Sequence, residues 1–149
     1  MASLLIFILL VVAAAVAGAH FSPGSWYVGL SKPSWTPPSW LFGPIWSALY
    51  VCIAVSGWLV WKRSSPRVTS ALVLWAAQLL LNAAWSWLFF GLHRPDLAFG
   101  EILFLLGAIM GFVLIAYRVS PLASGLFVPY GLWVLFASAL NFAIWRLNN

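Results

Sequence analysis

The chain has 149 residues, of which 64% are hydrophobic and only 6% are charged, and its mean hydropathy is +1.03. Soluble domains carry charge on roughly a quarter of their residues, so this composition excludes a soluble globular protein and indicates an integral membrane protein. The net charge of +5 comes mainly from basic residues at the ends of apolar runs, where such residues anchor helices to lipid headgroups. No nucleic-acid partner is expected.

Five apolar runs are long enough to cross about 30 Å of hydrocarbon, which takes roughly 20 helical residues. None shows the period-two alternation of a membrane β-strand. The prediction is an all-α integral membrane protein, a single domain of residues 1–149 built as a bundle of five transmembrane helices. The loops are short, so consecutive helices should be antiparallel neighbours. The predicted spans are 3–20, 44–61, 69–91, 97–117 and 122–145.

The first run admits a second interpretation, because it ends in Ala17-Gly18-Ala19, which also fits a signal-peptidase site. Signal peptides carry a basic residue ahead of an apolar core of roughly 7–15 residues. Here no Lys or Arg precedes the run, and the run is longer than such a core. Both features favour a retained first helix.

The connection between the first two runs, residues 21–43, combines tryptophans with prolines at 23, 33, 37 and 38, and Pro44 follows it directly. Prolines fix φ and remove backbone donors, so such a segment stays ordered without forming a long helix or a strand. We predict that it is an ordered lid over one end of the bundle. Residues 21–43 are called the lid below.

Charge placement gives a slight preference for one orientation. With five spans, four basic residues share the side of the amino terminus and three share the lid side, which favours a cytoplasmic amino terminus. The four are Lys62, Arg63, Arg67 and Arg118, and the three are Lys32, Arg94 and Arg146.

Few residues support catalysis or metal binding. Cys52 is the only cysteine, His20 and His93 lie at span ends in different loops, and Asp96 and Glu101 are the only carboxylates. Metal sites need clustered ligands and proton relays need several carboxylates, so neither a metal site nor a catalytic residue is predicted. We expect Cys52 to be a small core residue and Glu101 to reach the membrane interface or pair with a basic residue.

Uncharged polar residues form two stripes inside the predicted spans. Gln78 and Asn82 are four residues apart and share one helix face, and Trp133, Ala137 and Asn141 repeat this spacing after Pro129. Two interpretations stand: the amides bond helices to each other, or they line a ligand pocket. Antiparallel counting brings Trp46, Asn82 and Asn141 toward the lid, which favours a pocket whose flat indole faces suit a planar ligand.

Three segments of the chain resemble the translocator protein family, whose members are also called tryptophan-rich sensory proteins or peripheral benzodiazepine receptor homologues. The segments read WYxxLxKPxWxPP at 26–38, QLxLNxxWSxxFF at 78–90 and PYxxWxxFAxxLN at 129–141. The resemblance implies a five-helix bundle that binds a porphyrin or haem-like tetrapyrrole as ligand, with no other cofactor, in a pocket closed by the lid. The implied ligand-binding residues are Tyr27, Trp46, Gln78, Asn82, Trp133, Ala137 and Asn141.

The chain departs from the animal members of this family near its carboxy terminus. Their sterol-recognition segment has a tyrosine ahead of a basic residue, whereas this chain has Phe142 ahead of Arg146. The loss of that hydroxyl puts sterol binding in doubt, and such segments are weak predictors. The short tail and compact loops favour a bacterial membrane, with the mitochondrial outer membrane as the alternative.

Three classes of function follow. The first is a receptor, sensor or transporter of tetrapyrroles, which needs only the pocket and the lid. The second adds light-dependent porphyrin degradation, an activity that the resemblance implies and that indoles such as Trp46 and Trp133 would support. The third is a structural or partner-binding protein, including a homodimer formed through Gly107-x-x-x-Gly111, although that motif also fits close packing inside the bundle.

Overall fold

The structure is a computed structural model that describes residues 2–149, and it contains five helices long and apolar enough to cross a membrane. A sixth, short helix lies in the lid, and the described residues form no β-strand. The predicted five-helix bundle is therefore confirmed, and the protein is a multi-pass integral membrane protein. The helices are α1 (Ala2–Ala19), α2 (Ser25–Gly29) in the lid, α3 (Phe42–Trp61), α4 (Val68–Ser86), α5 (Pro95–Tyr117) and α6 (Pro121–Leu147).

All five long helices begin one or two residues before the predicted spans, and proline explains three of these differences. Pro95 and Pro121 are the first residues of α5 and α6, and Pro44 lies in the first turn of α3. A helix leaves its first N–H groups unpaired, so proline, which has no N–H, fits the first turn. A 3-10 turn at Ser39–Leu41 extends the span of α3 toward the lid.

The five long helices form a ring in the order α1, α3, α6, α5, α4. In this ring α1 contacts α3 and α4, α6 contacts α3 and α5, α4 contacts α5, and α3 also meets α4. The interior of the ring is apolar and buried, whereas the outward side chains are the apolar surface that faces lipid. Among the fully buried residues are Ile53, Ile109, Phe112, Phe127 and Tyr130.

Gly57 shows how closely α1, α3 and α4 approach each other. A Cβ atom added at Gly57 would lie 2.6 Å from the indole of Trp75 and 2.7 Å from the ring of Phe7. Trp75 cannot easily move aside, because its indole N–H donates to the carbonyl of Ile53 at 2.8 Å. A glycine on α3 thus allows the close helix contacts that small residues provide in membranes.

The two ends of the bundle differ. One end, the lid end, carries the lid, the loop between α4 and α5, and the last residues of the chain. The other end, called the distal end below, carries the loop at 62–67 and the turn at 118–120. This arrangement follows from five antiparallel crossings.

Candidate ligand site beneath the lid

A small cavity of about 50 Å³ lies between the lid and the ends of α3, α4 and α6. Its wall is mostly aromatic and aliphatic, and the few polar atoms belong to one amide, one phenol and one indole. The lining residues are Tyr27, Phe42, Trp85, Phe89, Phe90, Ala137, Leu140, Asn141 and Ile144.

A π turn at Trp87–Gly91 places two adjacent aromatic rings on this wall. The N–H of Leu92 donates to the carbonyl of Trp87 at 2.8 Å, which closes the wider turn. As a result Phe89 and Phe90 both line the cavity, with ring centroids 4.9 Å apart. Single π turns are frequent at functional sites.

Asn141 holds three helices together at the cavity. Its side-chain oxygen accepts from the indole N–H of Trp85 at 2.9 Å, and its amide donates to the carbonyl of Pro95 at 2.8 Å. The Trp85 ring in turn stacks on Phe89 at 5.0 Å. This amide therefore bonds helices to each other and also lines the cavity.

A second polar cluster lies deeper between α3, α4 and α6. The Tyr130 hydroxyl donates to the side-chain oxygen of Gln78 at 2.9 Å and accepts from the Asn82 amide at 3.0 Å. The Tyr50 hydroxyl donates to the Asn82 oxygen at 3.4 Å. The ring of Trp46 lies beside this cluster, 5.3 Å from Tyr50 and 6.2 Å from Tyr130. The buried Gln78 amide nitrogen makes no hydrogen bond within the described residues.

The structure thus separates the seven residues implied by the resemblance into three places. Tyr27, Ala137 and Asn141 line the cavity. Trp133 lies behind the wall, where its ring packs on Phe42 at 5.7 Å. The remaining three, Trp46, Gln78 and Asn82, belong to the deeper cluster.

Sequence reasoning did not place several aromatic residues at the site. Phe42, Trp85, Phe89 and Phe90 line the cavity, and Tyr130 joins the two predicted amides. All of these residues except Phe42 belong to the three segments that resemble the family, and that membership is the sequence feature that could have identified them. Regular helical spacing does not reveal a π turn, so the inward direction of both Phe89 and Phe90 was not predictable from it.

The lid is fastened over the cavity at two main points. The side chain of Asn148 pairs with the backbone of Ser31: Ser31 N–H donates to the amide oxygen, and the amide donates to the Ser31 carbonyl, each at 2.9 Å. The indole of Trp26 stacks on the imidazole of His93 with centroids 4.3 Å apart. The lid is therefore ordered and closed in this structure.

Tyr27 is the lid residue that reaches the wall. Its ring contacts Phe90 and Phe89 with centroid distances of 5.5 and 6.2 Å, and the Lys32 ammonium lies 4.5 Å from its centroid. Burial raises the pKa of the Tyr27 hydroxyl above its ordinary value, because the phenolate would lose hydration. The hydroxyl is therefore a donor at neutral pH.

The expectation for Glu101 was wrong. Both of its carboxylate oxygens are buried and make no hydrogen bond within the described residues. It therefore neither reaches the interface nor pairs with a basic residue. Asp96, by contrast, pairs with Arg94 at the lid end with an N–O distance of 2.6 Å.

The Gly107-x-x-x-Gly111 motif is partly used inside the bundle. A Cβ atom at Gly111 would lie 3.1 Å from the Leu74 side chain of α4, whereas nothing lies within 4 Å of one at Gly107. Gly111 therefore serves the contact between α4 and α5.

Comparisons with known proteins extend over the whole bundle. The family model described as the TspO/MBR family matches residues 6–146. The protein CrtK of Rhodobacter capsulatus is 42% identical, over 98% of this chain and 94% of its own length. The human translocator protein is 40% identical, over 89% of this chain and 82% of its own.

A third relative is the tryptophan-rich sensory protein of Cereibacter sphaeroides, which is 34% identical over 91% of this chain and 85% of its own length. The matched residues include the lid, every residue of the cavity wall and the deeper polar cluster. These two bacterial relatives, each matched over more than 90% of this chain, also support a bacterial membrane as the location.

Proposed function

Because this chain belongs to the TspO/MBR family, we propose that it is a membrane receptor that binds porphyrins or related tetrapyrroles beneath the lid. The observation that carries the proposal is the aromatic cavity in which Tyr27, Ala137 and Asn141 meet. Ligand sites are typically concave and mostly apolar, with a few fixed polar groups, and this cavity has that composition. Flat rings on its wall suit a planar macrocycle.

The cavity in this structure is too small for a tetrapyrrole. About 50 Å³ is far below the roughly 300–1,000 Å³ of typical ligand pockets. A tetrapyrrole therefore binds only after the lid moves away from the bundle. That movement breaks the Asn148–Ser31 pair and the Trp26–His93 stack.

The lid also offers a cation for the acidic side chains of a porphyrin. Lys32 is the one basic residue of the lid. Its ammonium donates to the carbonyls of Val28 and Leu30 at 3.3 and 3.1 Å and makes no ion pair within the described residues. A carboxylate of the ligand would replace these neutral acceptors with an ionised one, so that the hydrogen bond becomes an ion pair.

Ala137 provides the test of the pocket. In Ala137→Leu, the extra carbon atoms occupy the space next to the wall, and overpacking of this kind costs about 1–3 kcal/mol. We expect protoporphyrin affinity, measured in the dark by tryptophan quenching, to fall about tenfold. Thermal stability should change less.

The matched control is Ala139→Leu, because Ala139 is exposed on the same helix and lies outside the cavity wall. It should bind porphyrin like the parent protein. Equal affinity in all three proteins would contradict the pocket and leave a structural role for the bundle. A large loss of melting temperature in Ala137→Leu, with binding retained, would assign Ala137 to helix packing instead.

A second candidate function is light-dependent degradation of the bound porphyrin, favoured by one observation. The Trp85 indole lies on the cavity wall itself, where it would contact the macrocycle, and an indole can supply an electron to a photoexcited ring. Under illumination we expect the porphyrin absorption bands to fade with the parent protein and to fade more slowly with Trp85→Phe. Equal fading with and without protein would contradict this activity.

A further inference from the structure

A second concave surface lies at the distal end, away from the cavity beneath the lid. It is a groove of about 430 Å³ between the end of α5 and the start of α6. Five residues line it: Val113, Leu114, Tyr117, Arg118 and Ser124. The groove opens toward the surface that faces lipid, since Leu114 and Tyr117 are both exposed.

The floor of this groove is fixed. The Ser124 hydroxyl donates to the carbonyl of Val113 at 2.8 Å, which ties the first turn of α6 to the last turns of α5. Ser124 is itself buried, and nothing lies within 4 Å of a Cβ atom added at the neighbouring Gly125. The concavity is therefore held by a helix-to-helix bond.

Arg118 carries a charge that no acidic side chain of the chain neutralises. The only two acidic residues, Asp96 and Glu101, lie in the first turns of α5, whereas Arg118 follows its last residue. At 1.5 Å per residue, the separation is about 25 Å or more. Asp96 is also already paired with Arg94.

Arg118 differs in this setting from the other basic residues of the distal end. The Lys62 ammonium lies over the Trp58 ring at 4.6 Å, and Arg63 and Arg67 belong to the loop between α3 and α4. None of these three lines the groove. Arg118 alone combines a free guanidinium with an adjacent apolar channel.

We propose that this groove binds one anionic phospholipid from the surrounding leaflet. The Arg118 guanidinium holds the phosphate as a fork of N–H donors, the form in which arginine recognises phosphate best. The Tyr117 ring lies at the headgroup level, where aromatic residues concentrate in membrane proteins. An acyl chain follows Val113 and Leu114 toward the centre of the membrane.

The test is lipid retention by the full chain in mild detergent, measured by native mass spectrometry. The probes are phosphatidylglycerol and phosphatidylcholine with identical acyl chains. We expect the parent protein to retain one phosphatidylglycerol in preference to phosphatidylcholine. In Arg118→Gln this retention should fall about fivefold, which corresponds to about 1 kcal/mol for one basic residue near an anionic headgroup.

The matched control is Arg63→Gln, which removes the same charge from the same end but outside the groove. It should retain phosphatidylglycerol like the parent protein. An equal loss in both variants, or no headgroup preference in the parent, would overturn the proposal in favour of diffuse charge attraction. Added inorganic phosphate should not displace the lipid, and displacement would show that the site takes a free anion instead.

Two further variants distinguish the contribution of the groove's shape from that of the Arg118 charge. They also keep the proposal testable if Arg118→Gln misfolds. Arg118→Lys keeps the positive charge and should retain more lipid than Arg118→Gln. Leu114→Trp leaves Arg118 intact and fills the groove from its exposed side, so lipid retention should be lost. Full retention in Leu114→Trp would overturn the proposal. Melting temperature and porphyrin quenching show that each variant is folded.

Discussion

Tyr130 joins two buried amide side chains in the interior of the bundle. Its hydroxyl bonds to Gln78 and to Asn82, and Asn82 in turn bonds to Tyr50. These groups lie within the spans, where no water replaces a lost partner. The cluster therefore links α3, α4 and α6 by hydrogen bonds, and it lies deeper in the bundle than the cavity wall.

Removing the Tyr130 hydroxyl tests whether the amides of Gln78 and Asn82 bond helices to each other or bind a ligand. In Tyr130→Phe, two buried groups lose a partner, which should lower the free energy of unfolding by about 1–2 kcal/mol. Ser47→Ala is the control, because it removes an exposed hydroxyl whose only hydrogen bond is to the carbonyl of Gly43 on the same helix. Thermal unfolding in detergent measures the loss. If the free energy of porphyrin binding falls by more than the free energy of unfolding, the deeper cluster contacts the ligand directly.

The lid is the element that lies over the cavity. It has few regular hydrogen bonds of its own, and the Asn148–Ser31 pair ties it to the residue just after α6. The Asn148 amide also donates to the carbonyl of Ile144 at 2.8 Å, which fixes its position on the end of that helix. The end of the chain thus holds the lid closed.

Asn148→Ala should therefore loosen the lid without touching the cavity wall. We expect both the association and the dissociation rate of protoporphyrin to rise, measured by stopped-flow tryptophan quenching, while the equilibrium affinity changes less than either rate. Asn149→Ala is the control, because Asn149 makes no hydrogen bond to the lid within residues 2–149. Unchanged rates in Asn148→Ala would show that another contact, such as the Trp26–His93 stack, limits opening.

At the scale of the whole molecule, hydropathy alone predicts the five helices, since each crossing needs one long apolar run. Proline predicts the lid as an ordered segment, and it also explains why α5 and α6 begin earlier than the runs suggest. The site is less predictable. Spacing shows that Gln78 and Asn82 share a face, but it does not show that Tyr130 already occupies their bonds. The π turn that aims Phe89 and Phe90 inward leaves no periodic signal.

If a tetrapyrrole reaches the cavity only when the lid leaves the bundle, locking the lid in place should prevent binding. Ser31→Cys combined with Asn148→Cys, in a Cys52→Ala background, places two thiols where the structure has a hydrogen-bonded pair. A disulfide or a short thiol crosslinker then locks the lid. We expect protoporphyrin quenching of the locked protein to be abolished or greatly slowed, and a reductant or cleavage of the crosslinker to restore it. Binding at the parent rate in the locked protein would contradict this expectation.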